Sequence, residues 1–167
     1  MASSIGPAGD RVVILDKFEL RSPRVARREN TAVPGWADLR TALIRLDIYE
    51  DMFSPTLTAQ AEIQDTINLS TGIPLVGFES ILVSFHLDRD SGPRSYTFPL
   101  AVYNQSDRVL QTQGTEKYTL GLASPELIIS TSRKLSFAFT NRRMEDIIRE
   151  LVTSPDYLSS KKKFDLQ

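Results

Sequence analysis

The residues that could do chemistry are few, and the single histidine, His86, is the first to consider. It falls on the polar side of an alternating segment, together with Ser80 and Ser84. The chain has no cysteine, so a metal site at His86 would lack a second nitrogen or sulfur ligand. A serine–histidine–acid triad would need this same histidine, and no Gly-x-Ser-x-Gly turn accompanies it. The sequence therefore predicts that His86 lies on the surface and is neither a catalytic residue nor a metal ligand.

Carboxylates that lie close together in sequence are the second candidate for chemistry. Asp47 is followed by Glu50 and Asp51, and residues 88–92 (DRDSG) are similar to the start of a calcium-binding loop. A calcium loop ends with an acidic ligand, whereas residues 96–99 (YTFP) stand at that position here. We interpret the segment as a turn between strands. Two acids suffice for glycoside hydrolysis, but each acid here has a simpler structural role, and we expect neither enzymatic activity nor a cofactor.

The overall charge is nearly balanced. The 167 residues include 20 Lys and Arg against 21 Asp and Glu, a net charge of −1, which provides no general basic surface for nucleic acid. Four arginines cluster near the N-terminus (Arg21, Arg24, Arg27 and Arg28), and three lysines follow one another at 161–163. These clusters are typical of solvated surface, with docking to an acidic partner as the alternative. No apolar run reaches the roughly 20 residues that cross a bilayer, and the first ten residues lack signal-peptide features.

The N-terminal 36 residues are expected to form an extended arm. Ser, Gly and Pro punctuate residues 3–9, and Pro23, Pro34 and Gly35 punctuate the rest. The short apolar run 12–15 could add a strand to some sheet. Trp36, the only tryptophan, is expected to be a buried anchor or an interface anchor. Because a segment without its own core orders against a partner, we expect the arm to wrap a neighbouring subunit.

Period-two alternation begins at residue 42 and predicts an antiparallel pair of strands, 42–50 and 57–65, joined by a turn at 53–55. The face expected to pack into the core carries apolar residues: Ile44, Leu46, Ile48, Leu57, Ala59, Ala61 and Ile63. The opposite face carries polar ones: Arg45, Asp47, Gln60, Glu62 and Gln64. Phe53, in the turn, is expected either to be exposed at the tip or to fold back into the core.

Further alternating runs predict strands at 80–87, 96–102, 107–112 and 117–122. Pro99 inside the second of these predicts an edge strand or a bulge, and Gly121 predicts a bulge or a close approach of another backbone. Ser124-Pro125-Glu126 predicts a helix start, and Asn141 is a candidate cap for a second helix with an apolar stripe from Met144 to Val152. Leu135 to Phe139 predicts one short strand between them. Asp65 is a candidate cap for a single helical turn that reaches Leu69.

Four segments, taken in order, resemble the baseplate hub proteins of contractile-tailed bacteriophages. The first is 44–65 (IRLDIYEDMFSPTLTAQAEIQD), a strand ending in IYED, a phenylalanine-bearing turn and a strand ending in I-x-D. The second is 73–79 (IPLVGFE), which the strand 80–87 follows. The third is 118–126 (YTLGLASPE). The fourth is the basic strand and amphipathic helix of 133–152. The N-terminal arm has no counterpart in the pattern, and the family members are longer.

The resemblance implies a mainly β fold with minor α: a tail-tube-like antiparallel barrel or sandwich with one or two helices. The arm (1–36) is predicted from its own composition, whereas the resemblance implies a tube-like β domain (37–123) and the start of a second α+β domain (124–167). It also implies a structural protein of the virion, assembled in the host cytoplasm into a tail baseplate. There a homotrimeric hub joins the tail tube to the central spike by symmetry matching.

The implied partners are other copies of the chain, a tail-tube or tube-initiator ring, the central spike and baseplate wedge proteins, with DNA only passing through the lumen. The residues expected at interfaces are Arg45, Asp47, Phe53, Gln60, Glu62, Gln64, Arg24, Arg27, Arg28 and Trp36. The alternatives are a tail-tube or tube-initiator protein, the spike of a secretion system, a small β-barrel enzyme or lysin fragment, and a sugar-binding receptor-recognition module.

Overall fold

A computed structural model describes residues 13–22, 36–54, 56–66, 69, 75, 77, 79–87, 94–111, 114–134, 136 and 138–160. Seven antiparallel strands form one curled, half-barrel sheet in the order β2-β1-β5-β6-β7-β4-β3. The mainly β fold class predicted from the sequence is confirmed. The strands are β1 (Val13–Arg21), β2 (Trp36–Asp38), β3 (Leu43–Tyr49), β4 (Thr58–Asp65), β5 (Ser80–Leu87), β6 (Arg94–Leu110) and β7 (Glu116–Ala123).

The long strand β6 joins two halves of the sheet. Its first part pairs with β5 from Arg94 to Ala101, and its second part pairs with β7 from Ala101 to Leu110. The strand therefore has β5 along one side at its start and β7 along the other side at its end. Register shifts beyond Val102 and beyond Ser106 interrupt the second ladder. Bulges of this kind bend a strand and increase its twist, which accounts for the curl of the sheet.

The concave side of the curl holds the hydrophobic core. Alternate residues of β4 and β7 are buried there and face one another across the ladder, as in the pairs Ala61–Leu120 and Ile63–Tyr118. Leu39, which follows β2, is also buried. The other fully buried apolar side chains come from β1, β5 and β6: Phe18, Leu20, Ile81, Val83 and Leu100. Because each strand contributes every second side chain, the period-two pattern of the sequence is preserved in the core.

The expectation of an arm without a core of its own is wrong for residues 13–21. They form β1, which lies inside the sheet between β2 and β5, and Phe18 and Leu20 are fully buried. The alternation was obscured because the register shifts between Leu15 and Lys17, where Asp16 is the extra residue. Residues 1–12 and 23–35 lie outside the described residues, so the remainder of the arm stays a prediction.

The strands predicted at 96–102 and 107–112 are one continuous strand. Residues 103–106, which lie between them, belong to β6, since the bulges of β6 do not end the pairing with β7. Pro99 lies in the first half of β6, opposite Leu82. No other strand of the described residues pairs with β6 there, so the prediction of an edge position is confirmed. Proline is tolerated at such an edge because its missing N–H can face away from the ladder.

Two helices follow the sheet. The first, α1 (Pro125–Ser132), begins where Ser124-Pro125-Glu126 predicted it. The second, α2 (Met144–Thr153), has Arg143 at its N-cap position, without a side-chain capping bond, so the prediction that Asn141 caps it is wrong. Asn141 lies in the left-handed region (φ 57°), which asparagine adopts more readily than most residues.

The segment between the helices contains no strand at its described positions, 136 and 138–140, and Leu135 and Phe137 lie outside the described residues. The strand predicted from Leu135 to Phe139 is therefore wrong over the positions that can be compared. Neither described helix is long and apolar enough to cross a membrane.

Candidate subunit interface

The hairpin of β3 and β4 brings five of the predicted interface residues onto one face. Arg45 pairs with Glu62 and Asp47 with Gln60 across the ladder, and Gln64 follows along β4. The opposite side of β4 buries Ala59, Ala61 and Ile63, as predicted. Leu46, Ile48 and Leu57 pack against the core from partly buried positions. The hairpin is therefore amphipathic in the sense that the sequence indicated, with polar side chains outward.

Ile44 is the exception, because its side chain is 47% exposed. The register shifts between Leu43 and Arg45, so Ile44 is the extra residue of a bulge. Leu43 pairs with Ile63 and packs against the core in its place. The prediction that Ile44 faces the core is wrong, and the reason is that strict alternation cannot anticipate a bulge.

The polar face continues from β4 onto β7. Lys117 forms an ion pair with Glu62 at 2.5 Å, and Arg45 forms one with Asp47 at 2.8 Å. The hydrogen bond and charge of Asp47 raise the pKa of the Arg45 guanidinium above its usual value. Each of the two cations is thus matched by an anion, and the face as described carries no excess of either sign. Lys117 was not among the predicted interface residues, although its alternation with the buried Tyr118 indicates its side of the strand.

Tyr103 covers part of this face from β6. A Cβ added at Gly121 would lie 2.9 Å from Cζ of the Tyr103 ring and 3.2 Å from Cβ of Asn104. The prediction that Gly121 marks a bulge or a close approach of backbone is therefore wrong in its detail. The bulge is on the opposite strand, between Val102 and Asn104, and a side chain makes the close approach. Tyr103 is 55% exposed, so an aromatic surface stands on the otherwise polar face.

The tip of the hairpin presents two large apolar side chains. Met52 and Phe53 are each 89% exposed, which is the first of the two outcomes considered for Phe53. The turn is held by its own hydrogen bonds: the Phe53 N–H donates to Oδ1 of Asp51 at 2.9 Å, and the Ser54 N–H donates to the Asp51 carbonyl at 3.0 Å. An Asx turn of this kind fixes the backbone, so the two side chains project from a defined position.

The remaining predicted interface residues cannot be located in the same way. Arg24, Arg27 and Arg28 lie outside the described residues. Trp36 begins β2 and pairs with Arg21, and its side chain is not described. Their role at an interface therefore stays a prediction.

His86 lies on β5, close to a carboxylate of β1. Its Nδ1 is 2.8 Å from Oδ2 of Asp16, the bulge residue of β1, and both side chains are partly exposed. The polar residue Ser84, also on β5, contacts Thr97 across the ladder at 2.8 Å between hydroxyl oxygens. Within the described part of the chain, no three His, Cys, Asp or Glu residues are grouped to hold a metal ion.

Comparison with known proteins gives a distant structural similarity. No protein-family model matches the chain, and no curated protein matches it. Among solved structures, the chain is similar to a Francisella chain in "Structure of Francisella PdpA-VgrG Complex, half-lidded", with a TM-score of 0.42 and 15% sequence identity. The match covers 81% of this chain and 22% of that one, so the protein spans less than a quarter of the solved chain. At this identity and TM-score the similarity is at most one of overall fold.

Proposed function

We propose that the chain is the N-terminal part of a structural hub in the tail baseplate of a contractile-tailed bacteriophage, where it connects the tail tube to the central spike. The observation that carries the proposal is the β3–β4 hairpin. Its outer strand, β3, has no strand partner on its free side among the described residues, and its tip exposes Met52 and Phe53. An open edge that ends in exposed apolar side chains is suited to joining subunits, because a neighbour can satisfy the backbone groups and cover the tip.

The segments that resemble hub proteins support the proposal by where they fall in the fold. The first is the β3–β4 hairpin itself. Glu79, which ends the second, is buried, and its carboxylate accepts the Gly77 N–H at 2.8 Å. The third runs through β7 into the start of α1, where Ser124 is buried. Each of these three segments is thus an element or a junction of the sheet, which is what a shared fold would require, whereas the strand expected in the fourth segment is not observed at its described positions.

The assembly we propose is a trimer in which every subunit supplies two tube-like domains, so that three chains match the six-fold symmetry of a tail tube. The described sheet would be one of these domains. In this arrangement the chain acts through its surfaces and not as an enzyme, and it would reside in the virion baseplate after assembly in the host cytoplasm. Its partners would be other copies, a tube or tube-initiator ring, the spike, and wedge proteins.

The polar face of β3, β4 and β7 would line the lumen. Its two ion pairs, Arg45–Asp47 and Lys117–Glu62, leave it without net charge. Because contacts between cationic side chains and phosphates supply most non-specific affinity, such a face would let DNA pass without holding it. We expect no salt-dependent binding of double-stranded DNA at about 0.1 M salt; tight binding that weakens steeply with added salt would rule out this lumen assignment.

The experiment that tests the hub proposal is the mass of the purified chain in solution, by light scattering over a concentration series. A trimer supports a hub. A hexamer or a growing polymer would replace it with a tail-tube or initiator protein, and a monomer at all concentrations would contradict assembly by this chain. A matched variant lacking residues 1–12 tests the N-terminal segment, and it must keep 13–21 because β1 belongs to the sheet. Peptidoglycan-degrading activity in the same sample would favour the lysin alternative.

A further inference from the structure

A cavity of about 300 Å³ lies between the two helices. Its lining residues are Ile129, Ser130, Arg133, Leu151, Tyr157 and Leu158. Most of the lining is apolar, and Arg133 is its one charged residue. Preformed apolar cavities with a few polar groups are the usual form of a binding site, and this volume is at the small end of the range, about 300–1,000 Å³. It suits a single large side chain better than a large ligand.

The cavity is held open by hydrogen bonds between its walls. Nη1 of Arg133, just after α1, donates to the carbonyl oxygens of Pro155 and Tyr157 at 3.0 and 2.9 Å. The Leu158 N–H donates to the Leu151 carbonyl at 3.2 Å. These bonds tie the end of α1 and the turn after α2 together around the opening. A partner side chain would therefore enter a site that is already formed, with little ordering cost.

We infer that the hairpin tip of one copy docks in this cavity on a second copy, with Phe53 as the side chain that enters. The tip and the cavity complement each other in two ways. The tip offers apolar side chains on a fixed turn, whereas the cavity offers an apolar lining. The tip follows two exposed carboxylates, Glu50 and Asp51, and the described lining of the cavity includes the guanidinium of Arg133 but no carboxylate. Opposite charges beside an apolar contact orient the partners and speed their encounter.

Insertion of the tip into a lipid bilayer is a less favourable alternative. Glu50 and Asp51 would be brought against a surface that is negatively charged in most membranes, which opposes insertion. The contact between copies has no such conflict.

The contact is heterologous, since the tip and the cavity are different surfaces of one chain. Each copy can give its tip to the next and receive one from the previous copy. Such contacts close into a ring when the rotation between copies divides a full turn, and otherwise they continue as a filament. This inference rests on the proposed assembly role, in which three copies close the ring, and it specifies the surfaces that join them.

The test uses the absence of cysteine from the chain. One protein carries Met52→Cys, which leaves Phe53 in place, and a second carries Ser130→Cys in the cavity wall. When the two are mixed under mild oxidation, a disulfide between them can only join two copies. We expect the mixed pair to form a cross-linked dimer. In the same time, the matched control pair, Met52→Cys with Val109→Cys, should form at least tenfold less cross-linked dimer. Adding Phe53→Ser to the first protein should remove the selective product.

Other outcomes would overturn the inference. Equal yields for the cavity pair and the Val109 control would show that the tip has no preferred site, as would a yield that Phe53→Ser leaves unchanged. The Ser130→Cys thiol can also be treated with iodoacetamide in a monomer that carries Phe53→Ser. If the thiol is still protected there, another segment fills the cavity. Binding of the chain to phosphatidylserine vesicles that depends on Phe53 would show that the tip serves a membrane instead.

The same samples separate this inference from the hub proposal. Light scattering that shows a trimer, together with no selective cross-link, refutes the tip-to-cavity contact and leaves the hub standing on other surfaces. A monomer at all concentrations without a cross-link refutes both. A selective cross-link in a hexamer or filament supports the contact and refutes the trimeric hub.

Discussion

Replacing Glu79 should weaken the fold although it removes no hydrophobic contact. The side chain is 2% exposed. Its Oε2 accepts the Gly77 N–H at 2.8 Å, its Oε1 accepts the Ser22 hydroxyl at 3.4 Å, and its carbonyl accepts the Val102 N–H at 3.0 Å. One residue thus ties the segment before β5 to the end of β1 and to β6. In Glu79→Gln the amide group would turn its NH₂ toward the Gly77 N–H or the Ser22 hydroxyl, whereas the bond from the Val102 N–H to the backbone carbonyl would remain. The loss of one hydrogen bond to a charged group costs about 1.5–3 kcal/mol.

The measurement is the free energy of unfolding from urea denaturation, followed by circular dichroism. A loss of about 2 kcal/mol with an unchanged m-value of roughly 2 kcal/mol/M would lower the midpoint by about 1 M. In a thermal scan the same loss corresponds to about 4–8 °C for a chain of this length. Glu62→Gln is the matched control, because Glu62 makes only a partly exposed ion pair with Lys117, and we expect a change of about 0.5 kcal/mol. If Glu79→Gln is no more destabilising than this control, the buried carboxylate does not hold these elements together.

Two further predictions concern the core. Burial, together with the nearby carboxylates of Asp65 and Glu116, raises the pKa of Tyr118 far above its usual value of about 10. The contribution of Tyr118 to the free energy of unfolding is therefore fully present below pH 10. It declines at higher pH because this hydroxyl ionises first in the unfolded chain, and the loss is about 1 kcal/mol at pH 11. Tyr118→Phe should flatten this part of the pH profile of unfolding, whereas Tyr49→Phe, at an exposed position, should retain it; parallel profiles for both would contradict the assignment. Ile63→Ala should cost about 2–5 kcal/mol, and Ile44→Ala under about 1 kcal/mol, and equal losses in urea denaturation would mean that the bulge at Ile44 is wrongly placed.

The sequence predicts the β3–β4 hairpin, β5, β7 and the start of α1 correctly because these elements have unbroken local patterns. In β4 the apolar residues recur at every second position, and all of them are buried. In α1 the proline that begins the helix lies where its missing N–H has no consequence. Such signals are complete within a few residues and need no knowledge of distant parts of the chain.

The errors arise where tertiary pairing continues through an irregular sequence. Residues 103–106 looked like a connection between two strands, but they are part of β6, which remains paired with β7. Similarly, residues 13–21 looked like part of an arm, since a bulge at Asp16 shifts the apolar positions out of phase. In both cases the information that decides the structure is the neighbouring strand, and a single sequence does not state which strand that is.

The residues predicted at an interface illustrate the same limit in another form. Arg45, Asp47, Gln60, Glu62 and Gln64 could be assigned to one side of the hairpin, because alternation decides sides. The pairing of Lys117 with Glu62 could not be predicted, since it needs the position of β7 beside β4. The cavity between α1 and α2 is even harder to predict from the sequence, because its walls come from three separate segments.

The bulges also explain which unusual side chains reach the surface. Each of the four register shifts in the described ladders leaves one or two residues without a one-to-one partner. These residues are at least partly exposed: Asp16, Ile44, Tyr103, and the adjacent Asp107 and Arg108, which share the position opposite Tyr118. An extra residue has no cross-strand partner, so its side chain can be directed away from the face that the alternation would give it. That is how Ile44 leaves the core, how Tyr103 comes to cover Gly121, and how Asp16 reaches His86. The bend that curls the sheet and the exposure of these side chains thus have one physical origin.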